Sequence, residues 1–210
     1  MRSLKILGIV GVAAAMTACV PDWARENETG LLMDIVGITT FAGGVGGGTE
    51  GSTLLSDVDP DFNDDARIQV SLYRKNPTIE DVTHLEDVRL ESYQVRYFRS
   101  DGHSVEGVDV PNRITGPINS VRLITPATST EFVSEIFITL VRHQAKHEAP
   151  LANLIGIIPT STGGLFFPGQ GLITTVAEVT VFARQMTTGE PLSATGRVQV
   201  TFGDFADAAQ

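Results

Sequence analysis

Residues 174–207 read TTVAEVTVFARQMTTGEPLSATGRVQVTFGDFAD, and this stretch decides the fold. Val179, Val181 and Ala183 share one parity. Leu192, Ala194, Gly196, Val198, Val200 and Phe202 keep one parity over the second half. A period of two places successive side chains on opposite faces of an extended chain. Between the arms lies Met186-Thr187-Thr188-Gly189-Glu190-Pro191, a cluster of turn formers. The stretch therefore predicts an antiparallel hairpin with one apolar face.

The same period recurs upstream. Leu31 to Phe41 is rich in β-branched residues, and in Arg67 to Tyr73 the apolar Ile68, Val70 and Leu72 alternate with Gln69 and Ser71. Val88 to Arg99 alternates with one slip of phase: Val88 and Leu90 are even, and Tyr93, Val95 and Tyr97 are odd. A β-bulge produces such a slip. Ile118 to Ile124 and Phe132 to Val141 are further strand candidates. Ser100-Asp101-Gly102-His103 reads as a turn. The one helical hint, Gln144 to Ile155, is interrupted by Pro150. About seven short strands between Gly/Pro turns predict an all-β, immunoglobulin-like antiparallel β-sandwich over residues 31–207, with residues 208–210 a tail. A loop at 43–66 is Gly-rich at its start and acidic at its end.

Two hundred and ten residues suit one domain, with 15 basic residues against 25 acidic ones and a net charge of −10. That balance repels phosphate backbones and disfavours nucleic acid as a partner. One cysteine excludes an intrachain disulfide and a multi-cysteine metal site.

The N-terminus carries a second message. Arg2 and Lys5 precede the apolar run Ile6 to Ala15, and Met16-Thr17-Ala18-Cys19 follows. A positive start, a short apolar core and small residues form an export signal. The run is shorter than the roughly 20 residues that a spanning helix needs. Met16-Thr17-Ala18-Cys19 resembles the lipobox of bacterial lipoproteins, with Met16 where leucine is usual. The resemblance implies cleavage between Ala18 and Cys19 and a diacylglyceryl group on the Cys19 thiol. Val20 after the cysteine, where an aspartate favours inner-membrane retention, implies the outer membrane. The competing reading is an ordinary signal peptide with an incidental Cys19. Loss of residues 1–18 leaves 13 basic against 25 acidic residues, a net −12, so attachment would rest on acyl chains. Residues 19–30 then read as a lipidated cysteine and polar tether, with Trp23 its one aromatic.

Several segments together, FNDDARIQVSLYRKNP (62–77), YQVRYFRSDGHSVEGVDVP (93–111), LVRHQAKHEAPLANL (140–154) and the hairpin at 174–207, resemble a set of uncharacterised bacterial envelope lipoproteins with an immunoglobulin-like domain. That resemblance implies location and fold and supplies no site residues.

Candidate chemistry is sparse. Asp57, Asp59, Asp61, Asp64 and Asp65 place five carboxylates in nine residues. Hard cations take oxygen ligands, and Asp57, Asp59 and Asp61 match the first positions of an EF-hand loop, so Ca²⁺ is the one ion suggested. The match fails at Phe62, in the place of the glycine, and at Ile68, in the place of the closing glutamate. A solvated loop is the alternative. His143 and His147 stand at i and i+4, but Gln144 occupies the glutamate position of HExxH, so a metalloprotease lacks its general base. With Arg142 and Lys146 the stretch reads as a solvated positive corner. His84 and His103 are isolated. Glu135 and Glu178 fall on the polar parity of their strands, which makes them surface residues. No GxSxG elbow, phosphate loop or other cofactor motif is present, so no catalytic residue is assigned. The expectation is a non-enzymatic, lipid-anchored envelope module that meets a protein or glycan through its loops or sheet edge. An accessory subunit of an export or assembly complex is the alternative, and a carboxylate hydrolase a third.

Overall fold

A computed structural model describes residues 30–44, 49–59, 61–75, 87–118, 122–123, 133–155, 158–159, 165–166 and 171–205. Ala18, Cys19, Trp23, the Gly-rich residues 45–48 and His84 lie outside them.

Two sheets pack face to face, giving an all-β sandwich. The first has the order β2-β1-β4-β8, with β1 Leu31–Ala42, β2 Thr49–Gly51, β4 Asp64–Arg74 and β8 Val133–Val141. The second has the order β3-β12-β11-β5-β6, with β3 Leu54–Asp57, β5 Val88–Phe98, β6 Ile114–Pro117, β11 Ile173–Gln185 and β12 Pro191–Gly203. The short β7, Arg122–Leu123, also pairs with β5. A separate two-stranded ribbon joins β9 Ile158–Pro159 to β10 Leu165–Phe166. Among the described residues, strand pairings are antiparallel except for β3, which runs parallel to β12 at the sheet edge.

The expected hairpin is β11–β12, in continuous register from Ile173↔Phe202 to Arg184↔Pro191. Gly189, at φ +76°, closes its turn and donates its N–H to the Gln185 carbonyl at 2.9 Å. The apolar parity faces inward: Val179, Val181, Val200 and Phe202 are fully buried. Gly196 shares that face because the opposite sheet comes very close there. A Cβ at Gly196 would sit 2.9 Å from both Ile35 Cγ2 and Ile38 Cδ1 of β1.

The phase slip in β5 is a bulge. Phe182 pairs with Ser92 and Ala183 with Leu90, so Glu91 is the extra residue. Leu90 and Tyr93 consequently both face the core, and the Glu91 carbonyl accepts Ile118 N–H at 2.9 Å. A second bulge lies in β8, where Asp64 pairs with Val141 and Asp65 with Thr139, leaving Leu140 over. Its buried carbonyl accepts the Tyr97 hydroxyl of β5 from the facing sheet. The Tyr97 ring meets Phe202 edge-on at 5.9 Å.

Two expectations change. Residues 43–66 are not a continuous loop, since β2 and β3 lie within them. The helical hint at Gln144 to Ile155 becomes one helical turn, α1 His143–Lys146, and a 3-10 turn at Leu151–Leu154. Pro150 follows a cis peptide between them. Of the strand expected at Ile118 to Ile124, β7 covers Arg122–Leu123, Ile118 follows β6, and 119–121 and 124 lie outside the described residues.

Candidate functional site

The two charged motifs that stand far apart in sequence meet at one end of the sandwich. The acidic segment 57–65 leads from β3 into β4, and α1 follows β8 directly. Since β4 and β8 are paired neighbours, the start of one strand and the end of the other share an edge of the sheet.

Asp64 is the centre of this junction, and it is buried with 1% exposure. Its Oδ1 accepts the Gly43 N–H at 2.8 Å, and its Oδ2 accepts the Ser56 hydroxyl at 2.6 Å. The Lys146 ammonium lies 3.2 Å from the same Oδ2. Lys146 itself is 0% exposed, which corrects the expectation of a solvated positive corner. The Phe62 ring covers its ammonium at 5.0 Å from the ring centre, a cation–π contact. Asp64 thus ties the turn after β1, strand β3 and helix α1 to the start of β4.

The neighbouring residues extend the clasp. Asn63 Oδ1 accepts the backbone N–H of His143 at 2.9 Å, which satisfies a free amide of the helical turn. His143 Nδ1 lies 3.2 Å from the same oxygen, and His147 Nε2 lies 2.7 Å from Asp61 Oδ1. The two histidines therefore hold two different residues of the acidic segment. Val58 is fully buried and donates its N–H to the Gly203 carbonyl at 3.1 Å, pinning the middle of the segment against β12.

The five aspartates are spread by this arrangement. Asp64 points inward, Asp61 is an exposed partner of His147, and Asp57 accepts the Asp59 N–H at 3.3 Å. Asp65, beside Asp64, is half-buried on β4. Among the described residues, no group of three or more His, Cys, Asp or Glu side chains is placed to share a metal ion.

Other flagged residues are placed plainly. Glu178 is held by Arg197 at 2.8 Å on the outer face of the second sheet. Glu135 accepts Gln69 Nε2 at 3.0 Å on the outer face of the first. Both are surface residues, as their strand parity implies, on opposite outer faces of the sandwich. His103 is exposed, and its backbone N–H bonds Asp101 at 3.0 Å. A hydrogen bond from Arg99 holds the Asp101 carboxyl below its ordinary range. Burial pushes the Tyr97 phenol far above its ordinary value, with Asp64 reinforcing the shift and Arg142 opposing it.

The sequence reading missed Ser56 and Gly43 as partners of Asp64. Their only local sign is that Ser56 shares the parity of the apolar Leu54 and Val58. A surface cavity of about 120 Å³ is lined by Arg89, Arg184, Gln185, Met186 and Gly189 at the β11–β12 turn. That is small beside the roughly 300–1,000 Å³ of ligand pockets. No described helix is long and apolar enough to cross a membrane. Neither protein-family models nor curated proteins give a match to the chain.

Proposed function

We propose that the chain is a non-enzymatic, lipid-anchored module of the bacterial cell envelope. Cys19 carries the lipid, and the sandwich presents its loops to an envelope protein or glycan. The observation that carries this reading is the coincidence of Arg2 and Lys5, the apolar run 6–15 and Met16-Thr17-Ala18-Cys19 with the sole cysteine of the chain. Each buried methylene adds about 0.8 kcal/mol of membrane affinity, so two or more acyl chains hold a protein whose net charge gives it no attraction to anionic lipid. By this reading the anchor belongs to the outer membrane.

The immunoglobulin-like assignment draws support from strand order. The long strands run β1-β4-β8 in one sheet and β12-β11-β5 in the other. Those orders correspond to A-B-E and G-F-C of immunoglobulin-type sandwiches, with β6 beside β5. Rigid sandwiches use the loops at their ends for recognition. Here that end carries the acidic segment 57–65, with Asp59 and Asp61 exposed for contact.

The test is fractionation of the producing cell with wild-type and Cys19→Ala chains, followed by affinity purification of the crosslinked wild-type protein. The account expects wild type in outer-membrane fractions and Cys19→Ala released or left as uncut precursor. Equal membrane association of both would overturn the anchor. A stoichiometric partner complex would favour the accessory-subunit alternative.

A further inference from the structure

The buried pair at the end of the sandwich is arranged for more than electrostatic attraction. Lys146 is 0% exposed and Asp64 1%. Its Nζ has no hydrogen-bond acceptor, although Asp64 Oδ2 stands 3.2 Å away. The nitrogen thus approaches the carboxylate without the alignment of a hydrogen-bonded ion pair. We propose that Lys146 and Asp64 form an intramolecular amide cross-link that joins α1 to the start of β4.

The surroundings supply what the step requires. Two desolvated ions are costly in a medium of low polarity, and transfer of one proton from Nζ to Oδ2 gives a neutral amine and a neutral carboxylic acid. The Nζ lone pair then attacks Cγ, and the Cγ=Oδ1 π electrons move onto Oδ1. The Gly43 N–H, 2.8 Å from Oδ1, stabilises the negative charge that develops there. Nζ gives up a second proton to Oδ2, 3.2 Å away, while the Ser56 hydroxyl holds that oxygen in place through its 2.6 Å hydrogen bond. The Cγ–Oδ2 bond breaks, Oδ2 leaves as water with both protons, and the Oδ1 electrons restore the carbonyl. One water is lost, one positive and one negative charge disappear, and no oxidant or other reactant enters. The Phe62 ring keeps bulk water from the amine. Holding the two groups in contact replaces a bimolecular condensation with a unimolecular one.

The chain offers a clean readout. Trypsin has no site between Arg25 and Arg67, and only Lys146 lies between Arg142 and Arg184. Peptide mapping of the mature protein, purified from membranes in detergent, is expected to yield residues 26–67 joined to residues 143–184. The mass should be one water below the sum, and the free peptide 143–146 should be depleted. Lys146→Arg keeps the charge but removes the amine, and it should abolish the branched product in a chain whose fold is verified by circular dichroism. Ser56→Ala frees Oδ2 and should slow its accumulation after refolding by about 10-fold or more; an unchanged rate would overturn the positioning role of Ser56. Linear peptides 26–67 and 143–146 in full yield from the wild-type protein, after prolonged incubation, would overturn the cross-link.

Discussion

Gly196 offers the sharpest test of how the two sheets meet. It occupies an inward position in β12, between Ala194 and Val198, and a Cβ there would lie 2.9 Å from Ile35 Cγ2 and Ile38 Cδ1. Real Cβ contacts need about 3.4 Å or more, so Gly196→Val must push β1 and β12 apart or drive the isoleucines from their rotamers. Overpacking of this kind costs about 1–3 kcal/mol. For a domain of this size that lowers Tm by about 2–4 °C per kcal/mol. The expected fall for Gly196→Val is therefore about 2–12 °C by thermal circular dichroism. Ile35→Ala removes Cγ2 and opens space, so the double variant Gly196→Val/Ile35→Ala should be more stable than the sum of the two losses by about 1 kcal/mol, within the range measured for residues in contact. Thr195→Val, on the outer face, controls for strand propensity and should shift Tm little. Strict additivity in the Gly196 and Ile35 cycle would refute the close approach of β1 to β12, and with it the packing of the two sheets.

Other consequences follow from the end of the sandwich and from its core. Val58→Asp places an unpaired charge at a fully buried site and should cost about 3 kcal/mol; faster amide exchange at residues 57–65 would report release of the acidic segment. The phenol of Tyr97 keeps its proton in the folded chain above the pH at which the unfolded chain loses it. Stability should therefore fall as pH rises beyond about 10, with Tyr97 silent in phenolate absorbance until unfolding. Tyr97→Phe should remove that dependence, and it should cost about 1–3 kcal/mol at neutral pH because the buried Leu140 carbonyl loses its donor. Arg99→Ala should raise the titration midpoint of the exposed Asp101 carboxyl toward the ordinary aspartate value, followed by NMR. Calorimetric titration with Ca²⁺ that gives neither heat nor a rise in Tm would remove Asp57, Asp59 and Asp61 as a cation site.

The long strands were legible because a half-buried strand writes its environment into every second residue. Even the irregularity at Glu91 was legible, since an extra residue flips the parity of everything beyond it. The hairpin β11–β12 was clear because its pairing is local and its turn residues lie between the arms. The four-residue β3 was not, because its pairing is parallel to β12, far along the chain, and Leu54 to Asp57 carries almost no periodicity. The end of the sandwich shows the same limit for charge. Asp64 and Lys146 each read as solvated, because a charged residue is buried only when a partner compensates it. The partner becomes visible only when β4 and β8 pair and bring the two together. Asp57, Asp59 and Asp61 were legible as an acidic segment. Their division from Asp64 was not, since Val58 and Asp64 turn inward while their neighbours turn out.

The most direct measurement is the mass of the N-terminal peptide of the mature protein isolated from its own membranes. A thioether-linked diacylglyceryl group on Cys19, with the chain starting at that residue, is the predicted result. An unmodified thiol at Cys19, or a first residue at any other position, would contradict the account.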